Sequence, residues 1–233
     1  MTSRNKSGLG TRTGKLAKGG DQVSELTASR LSVYLRCLNT LDAAGVKAVS
    51  SRTLAEQFHL NAAQIRKDLA YFGEFGVRGV GYYVRELKRH LRVILGLDRT
   101  VRVAVVGAGN LGLALADYPG FRQEGFEIVA MFDTDRGKVG RKSRTGVRII
   151  DMAEFRKVVK RENINIVVLA VPAAAAQDVA NVAVASGIRA LLNFSPGTLK
   201  VPPGVKLKNV DLTVSLESLS FFLARGESDE EEA

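Results

Sequence analysis

The sequence predicts an α/β protein in two parts, a small helical head with a β-wing and a parallel-sheet body of the Rossmann type. Three observations point there. Near residue 100 the apolar pattern changes from helical spacing to short β-branched runs that alternate with helices. The segment GAGNLG, residues 107–112, sits between the first such run and the next helix. Charge divides at the same place: residues 1–99 hold 17 Lys/Arg against 8 Asp/Glu, and residues 100–233 hold 17 against 16. Nearly all of the +10 net charge therefore lies in the head, which suggests a polyanionic partner there.

Composition narrows the class. A 45% hydrophobic content supports a real core. No apolar run reaches the ~18 residues a membrane span needs. The basic N-terminus has no apolar segment of the kind that directs secretion. The single cysteine, Cys37, excludes an intramolecular disulfide and fits a reducing cytoplasm. It is expected as a small buried side chain in a helix. No metal site is expected.

In the head, residues 1–26 are Gly-rich, basic and poor in large apolar groups, so they are expected to be disordered. Leu31, Tyr34, Leu35, Leu38 and Leu41 mark a first helix over 27–45, capped by Thr27 and ended by Gly45. Ser50 or Ser51 caps a second helix bearing Leu54, Ala55 and Phe58. His59-Leu60-Asn61 makes a tight break. Asn61 opens a third helix, with Gln64 at capping-box spacing and Ile65, Leu69 and Phe72 facing inward. Gly73, Gly76, Gly79 and Gly81 punctuate short strands around Phe75, Val77, Val80 and Tyr82, a hairpin wing. Val84, Leu87, Leu91, Ile94 and Leu95 mark a fourth helix, and residues 96–99 form a short link. Two helices joined by so tight a break form a helix-turn-helix, whose second helix enters a major groove by its N-terminal end. The DNA-facing set is Ser51, Asn61, Gln64, Arg66, Lys67 and Arg78. Gln64 offers the donor–acceptor pair that suits adenine, Arg66 and Lys67 suit phosphate or guanine, and Arg78 sits at the wing tip.

The body is expected to place strands at 101–107, 126–133, 146–150, 164–172 and 189–196, with a sixth after Lys206. Helices are expected at 111–117, 151–162 and 173–186. In the motif Gly107 makes the tight turn, Gly109 lets the backbone approach a pyrophosphate, and Gly112 packs helix on strand. Ala108, Asn110 and Leu111 complete the cradle. Asp133 ends the second strand, 21 residues past Gly112, where a carboxylate accepts from a ribose 2′-hydroxyl and repels a 2′-phosphate. That favours NADH/NAD+ as cofactor, although Arg136 and Lys138 lie close by. Val171 and Pro172 form an apolar strand end near the expected nicotinamide. A dehydrogenase is disfavoured. The only histidines, His59 and His90, lie in the head, and Tyr118 is the body's only tyrosine, without a Tyr-x-x-x-Lys pattern. After residue 196 only about 37 residues remain, too few for a substrate domain. An apolar stripe of Leu212, Leu216, Leu219, Phe222 and Leu223 runs along a terminal helix, before an acidic tail. The expected divisions are 1–26 tail, 27–96 winged-helix domain, 100–210 dinucleotide-binding domain, 211–225 terminal helix and 226–233 acidic tail.

Over residues 27–225 the chain resembles the Rex redox-sensing repressors. QIRKDLAYFGEFGVRGVGY (64–82) looks like that family's recognition helix and wing. GAGNLGLALADYPGF (107–121), FDTDRGKVG (132–140) and LNFSP (192–196) also look like family segments. The resemblance implies a homodimer that binds a pseudo-palindromic operator when NADH is scarce and releases it when NADH binds. It implies a last helix swapped into the partner, and it brings Lys138, Asn193 and Pro196 into the cofactor set. It further implies an interdomain switch, which by motif falls on Arg36, Tyr118 and Asp211. Family members often carry Phe after that Asp, and this chain has Leu212. The alternative from the residues themselves is a winged-helix regulator of another nucleotide ligand, coenzyme A or NADPH.

Overall fold

A computed structural model describes residues 23–230, with side chains through residue 225. Residues 1–22 of the expected 1–26 tail and the side chains from 226 onward lie outside what is described, while Glu25 and Leu26, expected in that tail, open the first helix. The chain divides into two compact units, residues 1–98 and 99–233. No described helix is long and apolar enough to cross a membrane.

The first unit holds α1 (Glu25–Ala43), β1 (Ala48–Val49), α2 (Ser51–Phe58), α3 (Ala62–Phe72), β2 (Tyr82–Tyr83) and α4 (Val84–Ile94). Leu31, Leu38, Leu54, Ile65, Leu87 and Leu91 are fully buried and form its core. The first helix is capped by Ser24, not by Thr27. The Ser24 hydroxyl accepts the Thr27 N–H at 3.1 Å, and the Thr27 hydroxyl instead takes an Arg30 N–H. Between α2 and α3 the chain reverses at His59, which is left-handed with φ 53° and ψ 45°. The wing departs from expectation. Its arms are joined by one antiparallel bridge, Val77 to Gly81, and its strand residues Tyr82 and Tyr83 pair instead with Val49 and Ala48.

A buried carboxylate ties α3 to α1. Asp68 is 4% exposed and takes two bonds from Arg30, at 2.6 and 2.8 Å, and one from Tyr34 at 2.9 Å. The Arg30 guanidinium foremost holds its carboxyl below the usual range against the opposing effect of burial. Burial and that same carboxylate push the Tyr34 hydroxyl up to about 12. Cys37 is buried, and burial pushes its thiol up, away from the reactive thiolate.

The second unit is a six-stranded, wholly parallel sheet. Its strands are β3 (Val101–Val106), β4 (Phe126–Asp133), β5 (Ile149–Asp151), β6 (Ile166–Leu169), β7 (Ala190–Asn193) and β8 (Lys206–Asn209), in spatial order β5-β4-β3-β6-β7-β8. Alternation along β3 serves both faces. Ala104 and Val106 pack with Phe155, Val158, Ala176 and Ala180 of α7 (Phe155–Arg161) and α8 (Ala173–Ala185). Val103 and Val105 pack with Ala116 of α5 (Asn110–Ala116). Phe132 and Phe155 meet edge to face, centroids 4.8 Å apart. The third body strand is shorter and later than expected, because residues 141–148 double back through the Lys142–Arg148 bridge. The helix expected over 151–162 begins as a 3-10 turn, Met152–Glu154, capped by the Asp151 carboxylate. A short α6 (Pro119–Gln123) follows α5, and α9 (Leu212–Glu230) ends the described chain.

Asp68→Ala removes a buried carboxylate and leaves the buried Tyr34 hydroxyl without its acceptor, while Arg30 stays partly solvated, so it should destabilise the head by about 1–3 kcal/mol. The carboxyl is depressed in the folded state, so its contribution is present above the unfolded value near ~3.9 and is lost as pH falls through the lower folded value. Urea unfolding should therefore show a wide gap between wild type and variant at pH 7. That gap should narrow below pH ~3, the acid side of the unfolded carboxylate value.

Candidate functional site

The sheet order reverses between β3 and β6, and the glycine motif stands at the carboxyl end of β3 at that reversal. Gly107 adopts φ 101°, and a Cβ on it would strike the carbonyl oxygen of Ala170. Gly112 is buried, and its Cβ would strike the carbonyl oxygen of Gly107, so only glycine lets α5 start this close to the turn. Gly109 differs: nothing lies within 4 Å of where its Cβ would stand. The backbone is thus packed tight on either side of Gly109 and open at it. Asn110 and Leu111, exposed on the opening turn of α5, bring backbone N–H groups that a helix start leaves without intrahelical acceptors.

Asp133 closes the cradle from β4. One oxygen accepts the Ala108 N–H at 2.8 Å and the Lys138 ammonium at 3.2 Å, and the other accepts the Asp135 N–H at 2.9 Å. Burial opposes its charge, yet the Asp135 and Ala108 amides and Lys138 hold the carboxyl below its ordinary value. It is ionised at neutral pH and stands beside the glycine turn, tied to it through the Ala108 N–H.

The remaining residues expected here divide. Val171 is half-buried and Pro172 is exposed, at the mouth between β6 and α8. Asn193 is buried and its amide is committed internally. It donates to the Ser195 carbonyl and to Asn209 and accepts the Ser195 N–H. Ser195 in turn donates to the Val171 carbonyl at 2.6 Å. Asn193 therefore shapes the loop leading to exposed Pro196 and ties it to Val171, which lies two residues past the end of β6 and not in the strand as expected. Sequence reasoning missed Ser195, whose signal was only its place inside the LNFSP segment.

In the other unit, Asn61 caps α3, its side-chain oxygen accepting the Gln64 N–H at 3.0 Å. The reciprocal half of the capping box is not made, because the Gln64 amide turns to Asp68 at 2.7 Å. Arg66 donates to the Ser51 hydroxyl at 3.0 Å, which brings the starts of α2 and α3 together. Arg66, Lys67 and Arg78 are all exposed, the last on the wing turn. Of the three switch residues, Arg36 is exposed on α1. Tyr118 is exposed with its ring edge-on to Phe121, and Asp211 accepts the Thr213 N–H at the start of α9. Next to Tyr118, Asp117 accepts from the Thr145 hydroxyl and from the Thr145 and Arg144 amides. Burial opposes its charge, and those bonds hold it down at about 2. Among the described residues no His, Cys, Asp and Glu group could hold a metal ion.

A dinucleotide crevice in one unit and a winged helix-turn-helix in the other define a ligand-responsive, DNA-binding transcription regulator. Comparisons agree unit by unit. Residues 22–70 match a family described as a putative DNA-binding protein N-terminus, and residues 98–197 match a CoA binding domain. The redox-sensing transcriptional repressor Rex of Carboxydothermus hydrogenoformans is 50% identical over 206 residues, 88% of this chain and 99% of that protein. Among solved structures, RSP in complex with β-NAD+ and operator DNA matches with a TM-score of 0.84 and 41% identity, over 91% of this chain and 97% of that one. RSP in complex with β-NADH matches at 0.79 and 39%, over 91% and 99%. The chain belongs to the Rex family of redox-sensing transcriptional repressors.

The two outer glycines and Gly109 should separate by experiment. Gly107→Ala should lower the melting temperature, because its Cβ has no room. Gly109→Ala should leave melting unchanged and abolish the thermal shift given by NADH. Loss of stability in Gly109→Ala would contradict the open space above it.

Proposed function

We propose that this chain represses transcription in response to the NADH/NAD+ balance, binding a pseudo-palindromic operator as a homodimer when NADH is scarce and releasing it when NADH fills the crevice at Gly107–Gly112. The observation that carries this reading is the open backbone cradle at Gly109 closed by an ionised Asp133. Its support is the 41% identity to a repressor solved with β-NAD+ and operator DNA. The Asp133 carboxylate favours a ribose hydroxyl and repels a 2′-phosphate, so NADH is preferred over NADPH. The nicotinamide distinguishes redox states by charge. The oxidised ring is cationic, and an apolar wall at Val171 and Pro172 disfavours burying it unpaired. The body offers no histidine for hydride chemistry, so the dinucleotide is a signal and not a reactant. Such a regulator works in the cytoplasm, beside its DNA.

The homodimer reading rests on α9. Leu212, Val214, Leu216, Leu219, Phe221, Phe222 and Leu223 are all more than half exposed on it, far more apolar surface than a lone helix leaves to water. The second copy of the chain is its cover, by exchange of this helix. Arg36, Tyr118 and Asp211 then relay ligand occupancy to the heads. NADH shifts the dimer only by binding one state better than the other, and the disfavoured state is the one whose heads fit successive major grooves. A second reading, with coenzyme A as the ligand, is favoured by the description of the matched domain. A ligand panel separates the two.

Fluorescence anisotropy of a palindromic promoter duplex at fixed salt is the deciding test. NADH should release the protein and matched NAD+ should oppose release, while equal effects of both would sink the redox reading. Arg66→Ala should weaken operator binding, with a salt slope smaller by about 1, and leave NADH binding intact. Unaltered operator binding would remove Arg66 from the interface.

A further inference from the structure

The side chain of Asp68 has a fourth partner that its role as a helix anchor does not need. Arg30 and Tyr34 of α1 supply three donors, which satisfy the buried charge and join the helices. The fourth is the Gln64 Nε2, one turn earlier on α3 itself, at 2.7 Å from Asp68 Oδ1. An ionised carboxylate only accepts, so the nitrogen of the Gln64 amide must face Asp68 and Oε1 must face away. A glutamine without such a partner samples both amide orientations, and these present opposite donor–acceptor patterns to a base edge. Gln64 lies in the first turn of α3, half-buried, at the end of the helix that meets the bases.

We propose that Asp68 is a positioning residue for base recognition: it locks the Gln64 amide so that Oε1 and the second N–H of Nε2 are presented to an adenine. Adenine offers the matching pair in the major groove, an N6 donor beside the N7 acceptor. The lock removes the cost of ordering the amide at each encounter and excludes the flipped pattern. This inference rests on the reading of α3 as the operator-contacting helix.

The test is anisotropy against a set of operator duplexes, each changed at one base pair, at fixed salt. Wild type should prefer adenine at one position of each half-site by about tenfold or more. Gln64→Ala should flatten that position alone. Asp68→Asn should flatten it as well, because an asparagine can donate and lets the Gln64 amide flip, and the two changes together should flatten it no further. Tyr34→Phe removes a donor from Oδ2 and spares the Oδ1 contact. It should lower the melting temperature and keep the base preference. A profile unchanged by Gln64→Ala would overturn the inference. So would an Asp68→Asn protein that weakens every duplex by one factor. NMR of the wild-type side-chain amides gives a second measurement that needs no change at residue 68. A motionally restricted Gln64 amide in the free protein is expected, and a freely averaging one would overturn the lock. A wild-type chain that binds none of the duplexes would instead overturn the reading of the head.

Discussion

The body of this protein depends on how closely its backbone approaches itself at the turn after β3. Gly107 lies against the Ala170 carbonyl, and Gly112 lies against the carbonyl of Gly107. No side chain fits at either point. The consequence is that α5 leaves β3 at once, while the chain beyond β6 turns the other way into α8. The crevice at the reversal of strand order is the space between those departures. Gly109, with nothing above it, is then the floor of that space. Asp133 reaches it only because β4 runs beside β3 in parallel register, with Phe132 opposite Val106, and ends one residue later. The site is a product of sheet order and two backbone contacts, with few side chains involved.

The head is organised on a different principle. Its sheet has only two residues in each strand, and its apolar core encloses a buried charge, Asp68. A carboxylate in such a place is tolerable only when its acceptor sites are filled, and those of Asp68 are. Because three of the four donors come from α1 and the acceptor from α3, the charge fixes how α3 sits on α1.

What could be read from the sequence follows the range of the interaction involved. The glycine motif, the strand ending at Asp133 and the Asn61 cap are local, written within a few consecutive residues, and each was legible. The period change near residue 100 was legible too, and the unit boundary falls at Asp98. Asp68 was not. In the run Arg66-Lys67-Asp68 it reads as one more surface charge, and its partner Arg30 is 38 residues away. The strand β1 was missed because two residues cannot show a period. The wing was over-read for the complementary reason: glycines and apolar residues signalled a hairpin, but pairing with Val49 of β1 takes Tyr82 out of it. The bonds of the Asn193 amide to Ser195 and Asn209 were not legible either, because only the folded loop creates them.

The bonding of Asp133 has a consequence in simple valence. A carboxylate offers about four lone-pair sites. In Asp133 one oxygen already serves Ala108 and Lys138, and the other serves Asp135. A single vacancy is left, on the oxygen facing Asp135. Of the three occupants, two are backbone amides that cannot leave without unmaking the turn. The third, Lys138, is a side chain on a flexible stem, partly exposed. Lys138 is therefore the one occupant of Asp133 that can leave without disturbing the turn.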